Sequence, residues 1–266
     1  MPSLNFQTHD KKFYSIGKAN IFFKPEGAEA YRLLGDSDTC EIEIAVSEED
    51  RFSNECGLRN KVQTVVTELE ATLTLELAHI VDVNRALSLL GTASNFTQSA
   101  QVGVVDTFTD GAANLLDVCD LSEKFIDSIT SVTDTGANDT YVEGTHYLLD
   151  ALGGSIQIID KPAGIANDDI VVTYDTLAIV ADDGKSRVGI GAQSDNTGSI
   201  IIRQCQDFGP NLRVFLPRVQ LRPDGARSYV SETDFDIISL TGTILADSTQ
   251  EAGFELGEEL FLTDPV

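Results

Sequence analysis

Over residues 65–77 the apolar side chains fall on alternate positions: Val65, Leu69, Ala71, Leu73, Leu75 and Leu77, interrupted only by Thr67. The positions between them are mostly polar: Glu68, Glu70, Thr72, Thr74 and Glu76. A repeat of two puts one set on each face of a pleated strand, whereas on a helix these residues would scatter around the cylinder. Val65, Val66, Thr72 and Thr74 also favour extended backbone. At about 3.3 Å per residue, a strand over residues 62–78 would run on the order of 50 Å, far beyond the usual ~17–20 Å. A wall assembled from many copies has use for such a strand; a compact monomer of this size rarely does. The pattern then changes. Val83, Ala86, Leu87 and Leu90 recur at helical spacing, with Asp82 placed to cap the start and Gly91 to close the end.

Residues 39–46 alternate as cleanly, with Cys40, Ile42, Ile44 and Val46 on one face and Glu41 and Glu43 on the other. The charged stretch 47–61 between the two strands reads as an unusually long hairpin loop. Antiparallel pairing of the two strands would bring their acidic side chains to one face. Residues 5–14 read as a polar arm, 18–24 as a first strand, and 92–101 as a Ser/Thr-rich end to the helical unit. Beyond that, short strands alternate with turns at 102–109, 125–133, 141–149, 155–160 and 169–179, the texture of a small β-sandwich. Further strands are expected at 187–191, 198–206, 212–221 and 234–246. Pro217 predicts that its strand lies at an edge or carries a bulge. Residues 250–266 read as a second polar arm. The predicted organisation is a main domain over 1–103 and 181–266, interrupted by an inserted β-sandwich over 104–180.

Composition sharpens the picture. Acidic residues number 43 against 18 basic, for a formal charge of −25. A field of that sign repels phosphate backbones and disfavours ordinary nucleic-acid binding. The same acidity also suits a solubilising surface from a salty habitat, which the eight lysines favour. Hydrophobic residues make up 42% of the chain, enough for a folded core. The first dozen residues carry no apolar run of signal-peptide length, and no stretch approaches the ~20 apolar residues of a membrane span.

Chemistry-bearing motifs are absent. Cys40, Cys56, Cys119 and Cys205 are widely spread without a C-x-x-C, so they read as reduced structural thiols. His9, His79 and His146 assemble no zinc set. Gly189, Gly191 and Gly198 are too loosely spaced for a phosphate loop. The pairs Asp36/Asp38, Asp168/Asp169 and Asp182/Asp183 match no calcium loop, and no G-x-S-x-G elbow supports a nucleophile. The chain is read as a non-enzyme with no cofactor and no metal.

Glu41-Ile-Glu-Ile-Ala-Val-Ser-Glu-Glu, the loop with Gly57-Leu-Arg, Val65-Val-Thr-Glu, Ala71-Thr-Leu-Thr-Leu, and Asn84-Arg-Ala-Leu-Ser-Leu-Leu-Gly follow one another along the chain. In that order they resemble the tail tube (major tail) proteins of long-tailed bacteriophages. The resemblance covers residues 36–91 most closely. Over 140–176, Tyr141-Val-Glu-Gly-Thr-His-Tyr-Leu-Leu-Asp and Gly154-Ser-Ile-Gln-Ile are similar to an inserted β module of such proteins, with His146 where that module commonly has Asp.

The resemblance implies a mainly β protein with one short helix, a β-sandwich that contributes strands to an oligomeric barrel. It implies hexameric rings stacked into a tube that conducts the genome during ejection. Glu41, Glu43, Glu68, Glu70 and Glu76 would then face the lumen. Leu69, Leu73, Leu75, Leu77, Leu87 and Leu90 would form the core. Glu48, Glu49, Asp50, Arg51, Gly57, Leu58 and Arg59 would form an inter-ring loop, joined in that role by the two arms, with the inserted module outside. Implied partners are further copies of the chain, the tape measure, tail terminator and baseplate proteins, and genomic DNA passing without tight binding. No membrane is involved, and the place is the virion tail, with the host cytoplasm during assembly. The competing expectations are a head decoration protein, a baseplate ring subunit, or a β-domain adhesin.

Overall fold

The computed structural model describes residues 17–54, 57–109, 114–137, 139–163, 169–205, 211–230 and 235–262. The predicted N-terminal arm, and Cys56 within the hairpin, lie outside the described residues. In chain order the elements are β1 (Ala19–Pro25), β2 (Arg32–Leu33), β3 (Ser37–Phe52), β4 (Lys61–Leu77) and α1 (Asp82–Ser88). There follow β5 (Thr92–Asn95), β6 (Gln101–Phe108), β7 (Val118–Asp120), β8 (Ile126–Asp134), β9 (Tyr147–Asp150), β10 (Ser155–Ile158) and β11 (Ile170–Thr176). After a 3₁₀ turn at Ala181–Asp183 come β12 (Ser186–Gly189), β13 (Asn196–Gln204), β14 (Leu212–Pro223), β15 (Ile238–Ile244) and β16 (Glu258–Phe261). The protein is mainly β with a single short helix and several antiparallel sheets, a β-sandwich-like fold.

The chain divides into two compact units, Met1–Ser94 with Val188–Val266, and Asn95–Arg187. The second starts before residue 104 and ends after residue 180: Gln98 bridges to Ile179, and the Phe96 N–H donates to the Lys185 carbonyl. Strands β5 and β12 pair with each other as a two-stranded ribbon.

The first unit holds an eight-stranded sheet in the order β2-β1-β13-β14-β15-β4-β3, with β16 added on β14. Its buried residues lie on one face: Ile21 and Phe23, Ile200 and Ile202, Leu216 to Leu221 on alternate sides of a bulge, Leu240 and Ile244, and Ala71 to Leu77 at every second position. Leu34 and Leu87 complete the cluster. The sheet is curled, since Cys40 and Ile42 of β3 share a cleft of about 590 Å³ with Ala19 of β1 and Ile202 of β13.

Pro217 marks a bulge in a strand paired on both sides. Gly198 pairs with Val219 but Ile200 pairs with Leu216, so Pro217 and Arg218 face the single Ser199. The extra residue returns both Leu216 and Val219 to the core side. Pro217 itself falls between the stretch of β14 paired to β16 and the stretch paired to β15, where no ladder needs its missing N–H. The predicted C-terminal arm supplies β16, whose Glu258–Phe261 segment pairs with Phe215 back to Leu212.

The helix begins differently from the sequence reading. Val81 is its N-cap and makes no side-chain cap bond, while Asp82 is the first helical residue. Leu90, not Gly91, takes the left-handed conformation, with φ 46°. Gly91 is needed for another reason: a Cβ there would collide with the carbonyl oxygen of Gly189. Leu90 is therefore a half-buried terminator rather than a core residue.

The second unit packs two three-stranded sheets, β7-β10-β9 and β6-β11-β8, around Val132, Tyr147, Ile156, Ile158, Val172 and Tyr174. The buried Tyr174 phenol donates to Asp106 Oδ2 at 2.7 Å, satisfying its polar end. Residues 141–146 form a turn instead of the start of a strand, because Gly144 takes φ 75° and the His146 N–H donates to the Val142 carbonyl.

Candidate functional site: a two-faced ribbon with a free edge

The β3–β4 pair is the longest ladder in the chain, and its register decides which side chains share a face. Cys40 stands opposite Leu75, Ile42 opposite Leu73, Ile44 opposite Ala71 and Val46 opposite Leu69. On the other face Thr39 stands opposite Glu76, Glu41 opposite Thr74, Glu43 opposite Thr72, Ala45 opposite Glu70 and Ser47 opposite Glu68. The pairing thus brings Glu41, Glu43, Glu68, Glu70 and Glu76 together on one face, fixed by the period of the pleat. The first four are exposed and Glu76 is half-buried, accepting a 2.8 Å bond from the Thr39 hydroxyl.

The face continues across β15. Ser239, Thr241 and Thr243 stand opposite Glu76, Thr74 and Thr72, and Gln220 and Arg222 of β14 follow opposite Thr243 and Thr241. This hydroxyl and Arg222 extension was missed by reasoning from the sequence. The alternation in Ser239-Leu-Thr-Gly-Thr was the available signal, but only the β4–β15 register joins it to the glutamates.

Nearly half of the stretch read as a loop is strand, at its two ends. Glu48, Glu49, Asp50 and Arg51 continue β3, opposite Val66, Val65, Thr64 and Gln63. Their backbone is paired although their side chains are charged, so the pattern of charges concealed the strand. Bulges at Thr67 and Val62 absorb the offsets in register. Asp50 anchors the far end, 2.7 Å from Lys61 Nζ and accepting from the Thr64 hydroxyl at 2.8 Å. These two hydrogen bonds, Lys61 first, lower the Asp50 pKa. Gly57, Leu58 and Arg59 belong to the short remaining loop, closed by the Ser53 N–H donating to the Asn60 carbonyl, and the Arg59 guanidinium lies over Phe52.

Core assignments divide along β4. Leu73, Leu75 and Leu77 are fully buried, as is nearly all of Leu87. Leu69 is not a core residue in the single chain, because β15 covers β4 only from Ala71 onward. Beyond that point Ile44, Val46, Val66 and Leu69 form an exposed apolar face on the ribbon. The far edge of β3 has no strand partner among the described residues. Nearer the body, burial and then the charge of Glu41 push the Cys40 thiol up to about 11.

Among the described residues no group of three or more His, Cys, Asp or Glu is placed to hold a metal. No helix there is long and apolar enough to cross a membrane. Comparison with curated proteins returned no match. A family model described as Protein of unknown function UCP028589 matches residues 14–183, which take in the whole β3–β4 ribbon and most of the second unit. By that match over more than half its length, the chain belongs to the UCP028589 family.

Proposed function

We propose that the protein is a structural virion subunit whose copies join strands side by side into hexameric rings, stacked as a tail tube with an acidic bore. One observation carries this reading: a sixteen-residue edge strand, β3, that has no strand partner on its outer side among the described residues and belongs to a ribbon acidic on one face and apolar on the other. An open edge of that length invites pairing with another chain. Addition of a neighbour's strand satisfies its backbone groups, and the apolar face then meets that neighbour. The glutamates are left toward the lumen, where carboxylates repel a passing duplex and keep it from adhering. Unit Asn95–Arg187, with its own core, would decorate the outside, and the hairpin tip would reach the next ring.

Negative-stain microscopy of the concentrated full chain tests the reading. Rings or tubes with a central channel are the expected result. A chain that stays monomeric at every concentration, without added tail components, would count against it.

A further inference from the structure

Arg32 on β2 stands opposite Phe23 on β1, and its guanidinium carbon lies 5.7 Å from the centre of that ring. Its Nη1 donates to Asn84 Oδ1 at 3.0 Å. Asn84 is fully buried, and its amide nitrogen donates to the carbonyls of Leu34 (2.6 Å) and His79 (2.9 Å), which holds its oxygen toward Arg32. The guanidinium is therefore fixed from one end. Its remaining parallel edge, Nε and Nη2, is buried without a hydrogen-bond partner. Leaving buried donors unmet costs about 1–3 kcal/mol each, and more when the group is charged. Side-on, Nε–H and Nη2–H form the fork that matches two oxygens of one oxyanion.

Arg32 lines a cavity of about 430 Å³ whose other walls include Phe23, Ala86, Leu87 and Ala93. Two carboxylates, Glu26 and Asp195, also line it, and neither makes a salt bridge to Arg32. With Glu26 and Asp195 ionised, the lining keeps one negative charge in excess of Arg32, so a monoanion on the Arg32 fork is repelled about half as strongly as a phosphate dianion. The apolar walls suit a short aliphatic stem behind the charged end.

We propose that this cavity binds a carboxylate, held side-on by Arg32 Nε and Nη2, with its aliphatic stem against Phe23, Ala86 and Leu87. The bearer is either a free aliphatic acid or an acidic side chain of a second copy, and the chemistry of recognition is the same. Asn84 is a positioning residue that sets the angle of the fork.

Propionate, which copies the end of a glutamate side chain, and inorganic phosphate are the probes. The full chain is titrated with each while the arginine Nε–H resonances are followed by NMR, with Arg32 assigned by the peak missing in Arg32→Lys. The Arg32 resonance is expected to move saturably with propionate, well before other arginine resonances move, and less with phosphate. Ala93→Phe, which fills the cavity without touching the fork, is expected to weaken propionate binding by roughly tenfold or more.

An Arg32 resonance that moves no earlier than the others overturns the site, and tighter binding of phosphate overturns the carboxylate assignment. Both readouts use protein with Arg32 intact, so they hold even if Arg32→Lys is poorly folded and the peak is assigned by other means. Sedimentation in the same titration separates the sources. Dissociation of copies by propionate identifies a carboxylate from a second copy, and binding with association unchanged identifies a free acid. Either result supports the site, and neither depends on whether the copies form rings.

Discussion

Val46 stands directly opposite Leu69 in the β3–β4 ladder, and each leaves about half of its surface open, 49% and 51%. Two rungs along, Leu73 is fully buried opposite Ile42. The same alternation therefore builds the core at one end of the strand and an uncovered apolar patch at the other. In the proposed rings, a neighbouring copy covers that patch.

Leu69→Glu and Leu73→Ala should consequently separate assembly from folding. In the monomer, Leu69→Glu is expected to change unfolding free energy by no more than about 0.5 kcal/mol, as for exposed positions generally. Leu73→Ala should cost about 2–5 kcal/mol, the usual range for a deleted core leucine. Chemical denaturation measures both. Microscopy then decides the role of the patch: Leu69→Glu should prevent rings, and normal rings would mean that copies do not meet there.

Reversing the charge of the acidic face probes the bore. Glu68, Glu70 and Glu76 replaced together by Lys should leave the core intact, since their side chains point away from it. Glu76 alone loses a hydrogen bond, the one from Thr39. Assembled variant tubes are expected to retain duplex DNA at low salt and release it as salt rises, whereas wild-type tubes retain none. Equal retention by the two would place these residues away from the channel.

The thiols give a pH-dependent readout. The folded protein holds the Cys40 proton up to about pH 11, above the ordinary thiol value of 9.0. Because the folded pKa is the higher one, this contribution to stability is complete below about pH 9 and is lost as pH rises toward 11. Cys40→Ser should flatten the alkaline fall in melting temperature. Among the described cysteines, at pH 8 a thiol reagent should modify exposed Cys205 first, half-buried Cys40 more slowly, and buried Cys119 only on unfolding. Labelling of Cys40 as fast as that of Cys205 would contradict the raised thiol pKa and partial burial.

The second unit should be removable. The Phe96 N–H donates to the Lys185 carbonyl at 2.9 Å, so the chain leaves and returns at one place. Joining Phe96 to Lys185 through Asn-Gly, a two-residue hairpin turn, leaves the first unit's hydrophobic cluster untouched. The shortened chain is expected to keep a cooperative thermal transition by circular dichroism. A broad, non-cooperative melt would show that the first unit depends on the segment removed.

What the amino-acid sequence determined by itself is which side of each long strand a residue occupies, as far as the bulge at Thr67, beyond which Val66 rather than Val65 joins the Leu69 side. Side chains alternate strictly along an extended backbone, so Leu73, Leu75 and Leu77 had to share one face and Glu68, Glu70 and Glu76 the other. The tertiary structure decided where along those strands the core stops. Leu69 repeats the pattern of Leu73, but the end of β15 at Ile244, paired with Ala71, leaves it uncovered. Charged residues hid the far half of the ribbon for a related reason. Glu48 to Arg51 are held extended by backbone bonds to β4, and those bonds are indifferent to side-chain polarity. Periodicity reports a residue's side, whereas coverage depends on a neighbour distant in the chain. The unpaired edge of Arg32 belongs to the same class, set by Asn84 fifty-two positions away.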